Sequence, residues 1–352
     1  MIEVRVSAWS ANKMADQGMK FRFNRLAVSS ASAIALVATT VGLSVPAVQS
    51  QTSTIKIDGS STVFPITEAV AEDFQKLKRG AVRVTVGVSG TGGGFKKFCR
   101  GETDISDASR PILAKELAAC RASGVQFVEL PVAYDAITVV VNKRNPVNNL
   151  TTAELKKMWE PGARGKVTRW NQVRAGLPNA PFKLFGPGAD SGTFDYFTEA
   201  IVGKSKSSRG DFTASENDNV LVQGVTRDKN ALAYFGLAYY EANKSRLKAV
   251  TINGVRPTTA TVRNGTYQPL SRPIFIYVNA KSLQRPEVKQ FAEYYMRNAP
   301  KLVSAVKYVP LPSRAYTLGL QHLQRRKLGT VFNGDSPVGL RIEQLMQREA
   351  AQ

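Results

Sequence analysis

The stretch Thr54-Ile55-Lys56-Ile57-Asp58-Gly59-Ser60-Ser61-Thr62-Val63-Phe64-Pro65 carries the reading of the fold. Thr54–Asp58 alternates apolar and polar residues as a short strand does, and Gly59 ends it. Beyond the hydroxyl-rich turn, Val63, Ile66, Val70, Phe74 and Leu77 recur at steps of three and four, one apolar face of a helix. Val82–Val88 then supplies a second strand of alternating β-branched residues. A strand passing directly into an amphipathic helix and then into another strand is the unit of an α/β fold.

The alternation runs on through the chain. Gly90–Gly94 is predicted as a glycine-rich turn leading into a short helix that holds Cys99. Val125–Leu130 and Ala136–Asn142 are strand-like, and Thr151 with Glu154 has the capping-box spacing for a helix through Trp159. Phe182–Phe185 predicts a strand running into Gly186-Pro187-Gly188, with a helix starting near Ser191. Asn219–Val225, Tyr239–Ala242, Pro286–Ala299 and Ser313–Arg326 predict helices. Ala249–Ile252 and Pro273–Val278 predict strands, so the sheets are expected to be largely parallel. The stretch 203–217, rich in Lys, Ser and Asp, reads as a surface loop.

The 352 residues, 43% of them hydrophobic, suffice for more than one domain of ordinary size. The first fifty differ from the rest. Met19 opens a segment with Lys20, Arg22 and Arg25, followed by an uncharged apolar run from Leu26 to Val48 and small residues near Ser50. This order describes a secretory signal over 19–50, cleaved near Ser50, with 1–18 an upstream extension. After residue 50 no apolar run is long enough to span a bilayer. Export to an oxidising periplasm would let Cys99 and Cys120 pair, although two buried free thiols fit the sequence equally. Two cysteines and the single His322 cannot by themselves complete a tetrahedral zinc site, so no metal and no cofactor is expected.

The net charge is +21, from 48 Lys and Arg against 27 Asp and Glu. Without residues 1–50 it is about +18. Such a surface attracts anions of any size. The charge is spread along the chain, its densest clusters being Lys204, Lys206 and Arg209, and Arg325, Arg326 and Lys327. A nucleic-acid binder concentrates its cations on one element with interleaved aromatics, so a nucleic acid is not the expected partner.

Three strand-to-helix turns carry the chemistry. Ser60-Ser61-Thr62, Ser89 through Gly94, and Ser191-Gly192-Thr193 place hydroxyls and free amides where helices begin, and helix N-termini favour anions. Each turn alone is explained by ordinary capping. Together they supply the many neutral donors that a buried oxyanion requires. The glycine turn is neither a dinucleotide fingerprint, since Phe95 takes the last glycine position, nor a P-loop.

Several stretches, in order, resemble the periplasmic phosphate-binding proteins of ABC transporters. They are Ile57–Pro65, Asp104-Ile105-Ser106-Asp107-Ala108-Ser109-Arg110-Pro111, Leu130–Asp135, Asp190–Phe197 and Thr213–Leu221. The resemblance spans nearly everything from 54 to 328. It implies a type II periplasmic-binding-protein fold: two α/β lobes joined by two crossover strands, with a ligand cleft between them. Lobe 1 would hold 54–134 and 276–330, lobe 2 would hold 135–275, and 331–352 would be a C-terminal tail. The implied partners are inorganic phosphate and a membrane permease, and the implied state is a monomer that is not an enzyme.

The implied ligand residues are Ser61, Thr62, Val63, the backbone of Phe64, Ser89, Ser109, Ser191, Gly192 and Thr193. Asp107, in a Ser-Asp-Ala stretch, would accept the proton of monohydrogen phosphate and help reject sulfate. Many relatives carry an Arg four residues before the serine of Ser-Gly-Thr, where this chain has Pro187. Arg110 is the candidate replacement; its alternative is an ion pair with Asp104 or Asp107. Other oxyanions (sulfate, a phosphonate, molybdate) remain open as the ligand. A phosphate-ester hydrolase is the rival class. Gly-x-Ser-x-Gly is absent, and His322 falls in a late basic helix, expected to be exposed and structural.

Overall fold

The long strand that both halves of the molecule share is the feature that positions everything else. The computed structural model describes residues 52–351, so the extension and signal assigned to 1–50 lie outside the described residues. In chain order, β1 (Ser53–Gly59), α1 (Phe64–Leu77), β2 (Val82–Val88), α2 (Gly90–Phe98), β3 (Ile105–Ala108) and α3 (Ala114–Ala122) come first. The shared strand is β4 (Phe127–Asn142). After it come β5 (Asn149–Leu150), α4 (Thr152–Trp159), α5 (Trp170–Val173), β6 (Lys183–Pro187), α6 (Gly192–Val202) and β7 (Thr213–Ser215). Next are α7 (Asp218–Arg227), β8 (Ala231–Gly236), α8 (Leu237–Asn243), β9 (Leu247–Ala249), β10 (Thr251–Ile252) and α9 (Thr259–Arg263). The returning strand β11 (Ser271–Asn279) leads to α10 (Pro286–Ala305), α11 (Ser313–Arg325) and α12 (Ile342–Ala351).

The main sheet runs β2-β1-β3-β11-β4-β8-β6-β7. β2, β1 and β3 are parallel, and so are β8, β6 and β7. Between these two parallel blocks, β4 pairs antiparallel with β11 over Phe127–Ala136 and with β8 from Ile137 onward. All sixteen residues of β4 are buried. The sequence divides this segment into two strands around Pro131; the molecule keeps one. A register shift between Ile274 and Phe275 leaves Val132 as the extra residue beside Pro131, which absorbs the missing N–H. β8, an unbroken apolar run, shows no period that separates strand from helix and was not expected.

Helices cover both faces of the first block. Alternate residues of β3 show this: Asp107 accepts a hydrogen bond from Thr67 of α1 at 3.0 Å, whereas the Ser106 hydroxyl faces Gly94 of α2. The run Gly90–Gly94 is not a turn before the helix but its first turns. A Cβ on Gly94 would lie 2.6 Å from the Gly59 Cα, so glycine is required by close packing on β1 despite its low helix propensity.

Cys99 and Cys120 form a disulfide that ties α2 to α3. The stretch 203–217 is only partly a loop. It contains β7, and Arg209 is buried, bonded to Asp211 and to the Met158 and Val167 carbonyls.

Residues 331–351 are no loose tail. The Val331 N–H donates to Glu129 Oε1 (3.1 Å), the Ala114 N–H to the Gly334 carbonyl (3.0 Å), and the Gly339 N–H to the Tyr196 hydroxyl (2.8 Å). Leu340, Ile342 and Leu345 are buried, as is Glu349, whose carboxylate lies 3.6 Å from His322 Nδ1. His322 is therefore buried, contrary to the exposed position expected of it, because α12 covers that side of α11.

Two predictions follow from this packing. Replacing both cysteines by serine is expected to cost about 3 kcal/mol of unfolding free energy through the freed loop; urea unfolding at the wild-type value would contradict this. Burial raises Glu349 to about 9 and Glu129 to about 7, from an ordinary 4.5. The folded chain thus binds more protons than the unfolded one above about 4.5, so this part of the stability is lost as pH rises towards about 9. Glu349→Gln is expected to flatten the fall in melting temperature over that range, and an unchanged slope would refute it.

Candidate functional site

The parallel strands of both blocks end at one cleft, the position that α/β sheets reserve for ligands. β1 delivers Ser60-Ser61-Thr62, β3 delivers Ser109, β6 leads to Ser191-Gly192-Thr193, and β7 leads to Glu216 and Asp218.

The Ser60 loop is tightly folded on itself. The Ser60 carbonyl accepts from the Val63 and Phe64 N–H groups, and the Ser60 hydroxyl accepts from the Thr62 N–H. Two tyrosines hold it from outside: Tyr239 donates to the Ser61 carbonyl and Tyr308 to the Thr62 carbonyl. The Thr62 hydroxyl then meets that of Thr193 across the cleft at 3.0 Å, both fully buried.

The opposite wall is the start of α6. Ser191 caps it, its hydroxyl accepting from the Thr193 N–H at 3.2 Å. Gly192 admits close approach: a Cβ there would stand 2.5 Å from the Thr91 hydroxyl and 2.7 Å from that of Ser109. Thr91 and Ser109 are themselves hydrogen-bonded at 3.2 Å. Ser61, Thr62, Thr91, Ser109, Ser191, Gly192 and Thr193 are thus buried where the two halves meet.

The cation of this cluster is Arg272, on β11, with 1% exposure. Its guanidinium donates to the Gly192 carbonyl (2.9 Å), the Thr193 hydroxyl (2.7 Å) and Asp135 Oδ2 (3.3 Å), while Nε has no partner. Burial pushes the Asp135 carboxyl up and Arg272 pulls it back. Asp135 sits on β4 just before that strand changes partner from β11 to β8, and its other oxygen accepts from the Leu237 N–H at 3.3 Å.

Four of the residues expected at the site are engaged elsewhere. Arg110 does donate to two carboxylates, but to Glu116 and Asp195 rather than to Asp104 or Asp107. Asp107 lies between α1 and β3, bonded to Thr67 beside Tyr295, with burial raising it to about 8. The Ser89 hydroxyl donates to Asp58. Val63 is core. The sequence reading gave no role to Thr91, Asp135, Asp218 or Arg272. Arg272 carried a signal nonetheless, as the one charged residue of a strand whose other members are Ser, Pro, Ile, Phe, Tyr, Val and Asn.

Contacts at the cleft rim join the halves as well. The Gly92 N–H donates to the Asp190 carbonyl at 2.7 Å, and Lys96 pairs with Asp190 at 2.9 Å. Among the described residues, no three His, Cys, Asp or Glu side chains are grouped to hold a metal ion. Arg272→Ala is expected to cost about 3–5 kcal/mol of stability by stranding buried Asp135; a loss below about 1 kcal/mol in urea unfolding would show that the pair is not carrying the cleft.

Known proteins share this fold. The family model of the PBP superfamily domain matches residues 44–299. Protein SphX of Synechococcus elongatus is 54% identical, with 85% of this chain and 90% of that protein covered. The phosphate-binding protein PstS of Staphylococcus saprophyticus is 37% identical, over 80% and 86%. A substrate-binding protein assigned to a phosphate ABC transporter of Clostridium perfringens, solved with phosphate bound, superposes with a TM-score of 0.65 at 27% identity. That match covers 74% of this chain and 100% of that structure. The type II periplasmic-binding-protein fold expected from the sequence holds. The chain belongs to the PBP superfamily, in the family that includes Protein SphX and the phosphate-binding protein PstS.

Proposed function

We propose that this chain captures inorganic phosphate between its two halves and delivers it to the membrane permease of an ABC importer. The observation that carries the reading is the convergence of buried neutral donors from both halves on one buried guanidinium. Thr62, Ser109, Ser191 and Thr193 offer hydroxyls, the start of α6 offers amides, and Arg272 offers charge without displacing them. A tetrahedral oxyanion with four acceptor oxygens suits such a donor set, and many hydrogen bonds replace the water it loses.

The same contacts explain capture as a motion. Thr62–Thr193, Gly92–Asp190 and Lys96–Asp190 all join the two parallel blocks, so a bridging ligand would favour the closed over the open arrangement. Delivery to a permease follows from the company of PstS-type relatives. Export to the periplasm, action as a monomer and indifference to nucleic acid belong to the same proposal, supported by the signal-like residues 19–50 and the dispersed charge. Among the described residues, no helix is long and apolar enough to cross a membrane. Binding rather than hydrolysis is favoured by His322, which faces Glu349 under α12 and not the cleft serines.

Calorimetric titration with phosphate and with sulfate in parallel tests the reading. One phosphate per chain is expected, with sulfate at least about a hundredfold weaker. Preference for sulfate would overturn the ligand and leave the fold untouched.

A further inference from the structure

Besides β4 and β11, a third piece of chain touches both halves of the molecule. After α11 it is fixed to the first half at two points. The Phe332 ring packs edge-on against Phe275 of β11, with 5.5 Å between ring centres, and the Gly334 carbonyl holds the Ala114 N–H. The chain then reaches the second half. The Gly339 N–H donates to the Tyr196 hydroxyl of α6 at 2.8 Å, and the Arg341 side chain lies beside Gly265. The Leu340 carbonyl accepts from Tyr134 of the shared strand at 2.7 Å. Finally it turns back: Ile342 and Leu345 of α12 are buried, Glu349 faces His322 of α11, and Arg348 lies over the Phe332 ring.

The crossing spans a gap and does not fill one. Between Gly334 and Gly339, Asp335 and Val338 are exposed. Beneath them a cavity of about 330 Å³ lies between Leu113 of the first half and Glu199 of the second. Both glycines are in the left-handed region, with φ of +90° and +72°, so the chain turns sharply where it docks on each side. Tyr196 is where the crossing meets the cleft. Its hydroxyl also points at the Pro269 and Ser271 carbonyls (3.0 and 2.9 Å), and its ring stands 5.5 Å from the Arg272 guanidinium. The same helix presents Thr193 to Arg272.

We propose that residues 332–341 form a strap across the hinge that favours the closed arrangement, with Tyr196 the positioning residue through which it holds α6. Both ends of the strap are fixed to the first half, so opening the cleft carries α6 away from it. The Gly339–Tyr196 bond exists only when the halves are together, and such a differential contact shifts the equilibrium towards closure. The inference goes beyond the phosphate reading, because closure can be followed without any ligand; only its consequence for release rests on that reading.

The experiment uses the full chain with a protease site inserted between Asp335 and Ser336 and cut after folding, and separately Tyr196→Phe, which keeps the ring beside Arg272. Small-angle scattering without ligand is expected to give both a larger radius of gyration than the wild type. Rapid mixing is expected to show phosphate leaving both about five- to tenfold faster, the worth of one buried hydrogen bond. Association is expected to stay within about threefold, since the cleft residues are untouched. A radius unchanged in both proteins overturns the proposal. So does faster release matched by equally slower association, which would mark a damaged site. If the cut chain loses its fold by circular dichroism, Tyr196→Phe decides alone. A wild type that binds no phosphate fails the parent reading, and the scattering of the free proteins still decides the strap.

Discussion

A guanidinium removed from water must be answered by acceptors, and Arg272 draws its acceptors from places far apart in the chain. Asp135 comes from β4, and the Gly192 carbonyl and Thr193 hydroxyl come from the start of α6. Those partners belong to the strand common to both halves and to a helix of the second half. The cation is therefore both the electrostatic centre of the cleft and a clasp across it. Removing it would leave Asp135 charged and dry; adding a second cation would displace hydroxyls that an anion needs.

The rest of the cleft is arranged around that pairing with little freedom. Tyr239 and Tyr308 fix the Ser60 loop by its carbonyls, and the Thr62 hydroxyl meets Thr193. Gly192 and the glycines of α2 let backbone approach where any side chain would collide. The acidic residues are divided by environment. Asp135 answers Arg272 and the Leu237 N–H, and Asp107 accepts from Thr67 through one oxygen.

Much of the architecture was legible because periodicity and turn chemistry are local. The strand–turn–helix order around Gly59, the capping box at Thr151 and the Ser191 helix start all depend on neighbours in sequence. β4 was read as two pieces, Val125–Leu130 and Ala136–Asn142, because Pro131 and Asp135 fall between them, and a bulge and a buried partner accommodate both. At the site, the hydroxyl turns were visible and the charges were not. Sequence alone does not say which of Arg110 and Arg272 serves the cleft. What separates them is which carboxylates the fold carries to each: Glu116 and Asp195 consume the first, whereas Asp135 leaves the second with a free Nε.

β4 also constrains how this protein can change in length. Side chains alternate along a strand, so gaining or losing one residue within Phe127–Asn142 would reverse the facing of every position beyond it. Asp135 would turn from Arg272 towards the opposite side, and the pairing with β8 and β9 would slip at the same stroke. The loops around Lys204 and Gly176 carry no such penalty. Insertions and deletions among descendants of this chain are expected to gather there, and the distance from Phe127 to Asn142 to be kept residue for residue.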